Sequence, residues 1–376
     1  MLITTDEQLR EFARRAQSSD VLAIDTEFLR EKTYYPRLCL LQMGTDDEQV
    51  AVDPFSVRDL GPVRELFSDP SITKVLHACS QDMEIILQWC GVLPRPLFDT
   101  QIAACLLGGH AQIGYGPLVE EWCGVSLPKT ESLTDWSRRP LDAAQLEYAL
   151  DDVRYLPRIW RAMTARLEEQ GRAGWLDEDF ARASDPATYL HDPRDAYLRV
   201  KHAGTLGRRQ LAVAREVAAW REGRARQLNR PRRWVMSDEV LVEVARRSPA
   251  TAAQLQRIRG AESLAAADVA KVLAAVSAGM ACPGSACPEP PRRLRPSPEA
   301  ESVCDLMYAL TRMVSEREGI AASALASRDD LLLYLLRRDE SPVARGWRAD
   351  VLGALLDELL SGGVGLTVKD GRVELL

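Results

Sequence analysis

The chain has 376 residues, 46% of them hydrophobic, a formal net charge of −7 and eight cysteines. That length exceeds one typical domain and the apolar content is ordinary for a globular protein, so two or three cored domains are expected and a disordered or fibrous chain is excluded. The opening MLITTDEQLR lacks a basic stretch leading into an apolar one, and the most apolar long stretch, 263–282, is broken by Asp268 and Lys271; a cytoplasmic protein with neither secretory signal nor membrane span is expected.

The first part alternates strands and helices. Residues 21–27 (VLAIDTE) are an apolar run with a polar end, which predicts a buried strand. Residues 38–44 (LCLLQMG) and 49–53 (QVAVD), with a turn-rich spacer between them, predict an antiparallel meander. Another strand is expected over 73–78 (TKVLHA), then a helix over 81–90 stopped by Gly91 and Pro94. Helices follow over 98–107 and 117–122, and a long one over 143–170, where Pro157 marks the place for a kink. Strands with flanking helices make an α/β domain with a mixed sheet. Cys39, Cys79, Cys90, Cys105 and Cys123 fall in its apolar segments, where a reduced thiol behaves as a small hydrophobe.

From about 177 to 201 the chain is polar and rich in Asp and Arg, and beyond that the pattern is helical. A long amphipathic helix is expected over 208–229. Ser237, with Asp238 and Glu239 behind it, caps the next, which ends near Arg247; Thr251 opens a third and 263–279 supplies more helix. Residues 279–298 (GMACPGSACPEPPRRLRPSP) read as a linker. Cys282 and Cys287 there could be half of a metal site, but no second Cys or His pair accompanies them. The remainder loosely repeats what precedes it: a long helix (ESVCDLMYALTRMVSEREG), then a Ser-led helix from 327 to 338 that echoes 237–247 about 90 residues earlier. Asp370-Gly371, between alternating residues, predicts a terminal hairpin.

Charge is unevenly spread. Residues 1–150 carry 13 Lys and Arg against 23 Asp and Glu, whereas 201–260 carry 14 against 5. An acidic, metal-using segment joined to a phosphate-binding one would look like this, and so would a solvated Arg-rich helical face.

Four acids stand out. Asp25 and Glu27, two apart at the end of a strand, project from the same side. Asp82 opens a helix, where an acid is also favoured for capping alone. Tyr148 and Asp152, four apart, share a helix face, as would an ordinary aromatic edge and an exposed acid. Each has a plain structural reading by itself. Together they suit divalent cations, because carboxylates about 4 Å apart repel by roughly 1 kcal/mol per pair even in water, and Mg²⁺ takes oxygen ligands beside a substrate phosphate. Two such ions can clamp the attacking and leaving oxygens of a phosphoryl displacement. Tyr148, with an ordinary pKa of about 10, is expected to orient the attacking water.

These residues resemble the DEDD exonuclease superfamily and, within it, the ribonuclease D family. The first motif looks like Asp25-Thr26-Glu27-Phe28-Leu29-Arg30 followed by TYYPRLCLLQ, the second like His77-Ala78 through Asp82 to Ile86-Leu87, and the third like Tyr148 through Asp152. A sister branch carries His five residues before its last Asp; here that position is Glu147, which indicates the tyrosine branch. The stretch GYGPLVEEWCGVSLPKT, 114–130, is also similar to the family. Residues RRQLAVAREVAAWREGRARQLNRPRRWVMSDEVLVEVA resemble the HRDC module that RecQ helicases share with ribonuclease D.

The resemblance implies an α/β RNase H-like exonuclease domain over 1–200, an all-α HRDC domain over 205–285 and a second, diverged HRDC-like domain over 295–376. It implies a 3′→5′ exoribonuclease that releases 5′-mononucleotides, with tRNA precursors as the substrate and no obligate protein partner. Asp25, Glu27, Asp82 and Asp152 would ligate two divalent cations, Mg²⁺ or Mn²⁺, and Tyr148 would complete the catalytic set. Phe28, Gln42 and His77 would hold the substrate or simply pack. Arg230, Arg232 and Arg233, with Arg224 and Arg226, are phosphate contacts or solubilising surface. A DNA-directed exonuclease of the same superfamily and a non-catalytic nucleic-acid binder remain as alternatives.

Overall fold

The computed structural model describes all residues except 109–110, 129–133 and 291–295. They form two compact units: Met1–Glu27 with Leu38–Asp185 and Leu294–Leu376, and Phe28–Arg37 with Pro186–Arg293.

Strands β1 (Leu2–Ile3), β2 (Val21–Leu29), β3 (Arg37–Gly44), β4 (Gln49–Val52), β5 (Thr73–Leu76) and β6 (Leu97–Asp99) make one sheet in the order β1-β4-β3-β2-β5-β6. β3 and β4 pair antiparallel, with Leu41 opposite Val52, which is the expected meander. β1 runs parallel to β4, and β2, β5 and β6 are parallel to one another, with Ala23 opposite Val75 and Val75 opposite Phe98. Val21 to Ile24 of β2 are fully buried. A strand apolar on both faces must be covered on both.

The covering helices of this unit are α1 (Asp6–Ala16), α2 (Gly61–Ser68), α3 (Ser80–Cys90), α4 (Thr100–Ala104), α5 (Tyr115–Cys123), α6 (Ala143–Arg154), α7 (Leu156–Glu169) and α8 (Asp177–Ala183). Gly91 ends α3 at φ +79°, a left-handed position that costs glycine little. Three sequence expectations change. The first two helices went unread, although Thr5 and Gln8 form a capping box at the start of α1. Phe98 and Asp99, expected in a helix, close the sheet, and the Asp99 carboxylate then caps the short α4. The long helix expected over 143–170 is two helices that meet at Tyr155. Pro157 falls in the first turn of α7, where its missing N–H is not needed.

In the helical unit, α9 (Arg208–Leu228) is the central element, followed by α10 (Arg232–Val235), α11 (Asp238–Arg247), α12 (Ala252–Gln256) and α13 (Ala266–Ala281). Leu211, Val213, Ala214, Val217 and Ala218 of α9 line its core. Gly279 lets α13 close on α9, since a Cβ there would lie 2.4 Å from the Val213 Cα.

The last part packs with the first. Its helices α14 (Pro298–Glu318), α15 (Ala322–Leu325) and α16 (Arg328–Leu336) begin 90 residues after α9, α10 and α11 respectively. The paired helices nearly match in length, and Ser327 caps α16 as Ser237 caps α11. Yet Cys304, Met307, Leu310 and Leu331 share a core with Val21, Ala23, Val153 and Ile159. Arg172 donates to the carbonyls of Leu106 (2.7 Å) and Glu318 (2.8 Å), and Trp175 stacks on Trp347 with ring centroids 4.8 Å apart. After α17 (Gly346–Arg348) and α18 (Ala354–Ser361) comes the expected hairpin, β7 (Leu366–Lys369) with β8 (Arg372–Leu375). Among the described residues no helix is long and apolar enough to cross a membrane.

Candidate active site and basic helical module

Alternation along β2 puts Val21, Ala23, Asp25 and Glu27 on one face. Val21 and Ala23 pack in the core that holds Val153 of α6, so the two acids continue the face that α6 covers. On α6, Ala149 and Val153 are buried against that face and carry Asp152 with them. Carboxylate oxygens of Asp25, Glu27 and Asp152 lie within 4.8 Å of one another.

Asp82 is placed differently. It lies in the first turn of α3, is only 8% exposed, and accepts a hydrogen bond from the Thr26 hydroxyl. It stands outside the trio but near enough for its charge to act on Asp25 and Glu27. Helix α3 is presented by a turn with Ala78 at φ +55°, unusual for a residue with a Cβ, and Asp99 holds that turn by accepting the N–H groups of Ala78 and Cys79.

The acids have no basic partner among the described residues. Burial, and then the charges of Asp152, Asp82 and Glu27, push Asp25 well above the usual carboxylate range. Burial, then Asp152 and Asp82, raise Glu27 to about 8. Burial and the neighbouring Asp151 raise Asp152 to about 7, and burial raises Asp82 to about 6. Asp151 is unlike these four, because Arg154 bridges it to Glu147. An all-oxygen set that burial and neighbouring acids push toward the neutral form is what a hard divalent cation would relieve, so the residues fit such an ion.

Tyr148 stands one turn before Asp152, its ring 6.1 Å from that of Trp136. Gln42 is fully buried on β3 and neither of its amide atoms has a hydrogen-bond partner. His77 bonds Thr100 Oγ1 through Nδ1 at 2.9 Å, while its buried Nε2 makes no well-formed hydrogen bond among the described residues. Phe28 follows Glu27 along β2, and its packing belongs with the helical unit.

In the helical unit the arginines divide. Arg232 donates to Glu222 at 2.6 and 3.0 Å, Arg226 to the Tyr34 hydroxyl at 3.0 Å, and Arg224 pairs with Asp268 at 3.0 Å. These three are committed inside the unit. Arg230 and Arg233 are exposed and have no ion-pair partner among the described residues. Beside them Trp234 is 54% exposed. Sequence reasoning missed Trp234, Thr26 and Asp99. The tryptophan in PRRWV was visible as a letter, but nothing in the pattern told it from a core aromatic.

Known proteins resemble this chain in sequence and in fold. A family model described as a 3′-5′ exonuclease matches residues 1–168, and one described as an HRDC domain matches residues 210–276. The chain is 38% identical to the ribonuclease D of Acidiphilium cryptum over 384 residues, covering all of this chain and 97% of that one. It is 39% identical to the ribonuclease D of Granulibacter bethesdensis over 386 residues, covering all of this chain and 96% of that one. The crystal structure of Escherichia coli RNase D superposes with a TM-score of 0.82 at 33% identity, covering 96% of this chain and 98% of that one. The chain therefore belongs to the ribonuclease D family of 3′-5′ exoribonucleases.

Proposed function

We propose that this exoribonuclease trims the 3′ ends of structured RNAs, tRNA precursors foremost, and releases 5′-mononucleotides one at a time. The reading is carried by one observation: three carboxylates gathered within 4.8 Å, with no basic partner among the described residues. Asp25, Glu27, Asp82 and Asp152 are assigned as ligands of two divalent cations, Mg²⁺ or Mn²⁺. When bound, such ions polarise the scissile phosphate and lower the pKa of a coordinated water. Tyr148, one helical turn from Asp152, is assigned to orient the attacking water with its hydroxyl. Hydrolysis breaks the bond between phosphorus and the 3′ oxygen; water adds to phosphorus and the 3′ oxygen leaves as a hydroxyl.

Gln42 and His77 are assigned to the substrate side, since Gln42 keeps buried amide atoms that no described residue satisfies and the His77 Nε2 lacks a well-formed bond among them. Phe28 is assigned to the terminal base or sugar. Arg230 and Arg233 are the proposed phosphate contacts of the helical module, with the exposed Trp234 ring beside them for a stacked base. Arg232 is exposed as well but is already paired with Glu222, and is assigned to holding that surface in place.

The purified protein with Mg²⁺ or Mn²⁺ should shorten a 3′-extended RNA to mononucleotides, and the same protein carrying Asp25→Ala should leave it intact. A matched DNA strand tests the polymer. Faster digestion of DNA would overturn the RNA assignment, and an active Asp25→Ala protein would overturn the site.

A further inference from the structure

The break between α6 and α7 is bridged by a side chain from elsewhere in the fold. A continuous helix would bond the N–H of Tyr155 to the carbonyl of Asp151. Here Tyr155 interrupts the helix, and its N–H takes no backbone acceptor. Instead the Asp151 carbonyl accepts the hydroxyl of Tyr115 at 2.8 Å. One phenol stands where one backbone bond is lost.

The position matters because Asp152 follows the gripped carbonyl by one residue. It lies in the last turn of α6, and the last turn of a helix has carbonyls without intrahelical partners and opens most readily. Tyr115 is well placed to hold it. It is the first residue of α5, whose Leu118 and Val119 are fully buried in the same core as Val153 and Leu156. Its ring lies 5.7 Å from that of His77, itself tied to Thr100. Burial, then the charge of Asp152, holds the phenol in its protonated form, so the group is a standing donor to the carbonyl.

We propose that Tyr115 is a positioning residue for Asp152: its hydroxyl pins the last turn of α6 and keeps the Asp152 carboxylate within reach of Asp25 and Glu27. The proposal rests on the reading of those acids as the cation site. It gives a role to the GYGP stretch, which the acid and tyrosine motifs leave without one. Tyr115 acts on the carboxylate through the backbone, so its loss should weaken cation binding and turnover and leave the affinity for RNA alone.

The test is Tyr115→Phe, which removes one oxygen and keeps the ring, with Asp152→Asn measured in parallel. Mn²⁺ affinity is read by calorimetry on the protein without RNA, kcat and KM on a 3′-extended RNA, and the folded fraction by thermal melting, with every value expressed per folded molecule. For Tyr115→Phe, Mn²⁺ affinity and kcat should each fall about tenfold, the low end of what outer-sphere partners of metal sites contribute, with KM within about twofold of the parent. Raising Mn²⁺ should recover part of the lost kcat. Parental Mn²⁺ affinity and kcat in Tyr115→Phe, beside an inactive Asp152→Asn, would overturn the proposal alone. Parental affinity and activity in Asp152→Asn would overturn the acid-site reading, and the proposal with it.

Discussion

The two units treat buried acid in opposite ways. Glu222 of the helical unit is 1% exposed, more deeply buried than Asp25, Glu27, Asp82 or Asp152. Burial alone would raise its pKa, yet hydrogen bonds from Arg232 and Tyr34 and the charges of Arg232 and Arg226 hold it below the ordinary glutamate value. The acids of the first unit are all pushed up, by burial first and then by the charge of neighbouring acids, with no basic partner among the described residues. Depth of burial therefore does not separate structural from functional carboxylates here. The sign of the neighbours does, and a cluster left unneutralised marks a place where a cation from outside is expected.

The largest effect should come from the unneutralised side. Asp25→Asn should lower the rate of RNA shortening on the order of a thousandfold or more, while the metal-free protein melts no lower than the parent, since a neutral amide avoids the cost of a buried carboxylate among other acids. A marked fall in melting temperature would show that Asp25 is an ordinary structural acid. On the neutralised side, Glu222→Gln should destabilise the helical unit by about 1 kcal/mol, less than the loss of a fully buried pair because the Arg232 and Arg226 side chains are 45% and 35% exposed and water can take their charge. Activity on a short RNA, measured below the melting transition, should hardly change.

A pH series sharpens the same contrast. The four acids have folded-state values above their unfolded ones, so the folded protein holds more protons and its stability falls as pH rises. Metal-free protein should accordingly melt lower at pH 8 than at pH 5, across the window set by the values of about 6, 7 and 8 for Asp82, Asp152 and Glu27. Saturating Mg²⁺ should remove most of that slope, and a slope unaffected by the ion would place its origin elsewhere. The smallest effect concerns the two arginines that face solvent. Converting Arg230 and Arg233 together to Gln should reduce the log–log salt dependence of RNA binding by about one unit for each phosphate no longer neutralised. Arg232→Gln should act mainly on stability, and a slope change as large as that of the double variant would mean Arg232 does reach phosphate.

Much of the fold was legible because its strands are short apolar runs between turn residues and its caps are spelled out by Ser237, Thr251 and Ser327. The errors fell where local pattern competes with tertiary need. Phe98 and Asp99 read as helix because apolar residues follow them, but the sheet needed one more strand beside β5. Pro157 marks a kink by residue type, but the break lies at Tyr155, where a hydroxyl 40 residues earlier in the chain holds the preceding turn. Among the five arginines proposed for phosphate, residue type could not tell the two that face solvent from the three that hold internal partners, because the partners Glu222, Tyr34 and Asp268 are brought in by folding.

By itself the sequence determined the kinds of group available and their order: an acid pair on a strand, an acid at a helix start, and a Tyr and an Asp one turn apart. Those follow from period-two and period-3.6 geometry, which is local. Only the tertiary structure decided which of the acids share a space, that Thr26 holds Asp82, and that Tyr115 grips the turn bearing Asp152. Such contacts join residues far apart in the chain. Whether a carboxylate ends up neutralised depends on which groups packing brings beside it, and no local pattern records that.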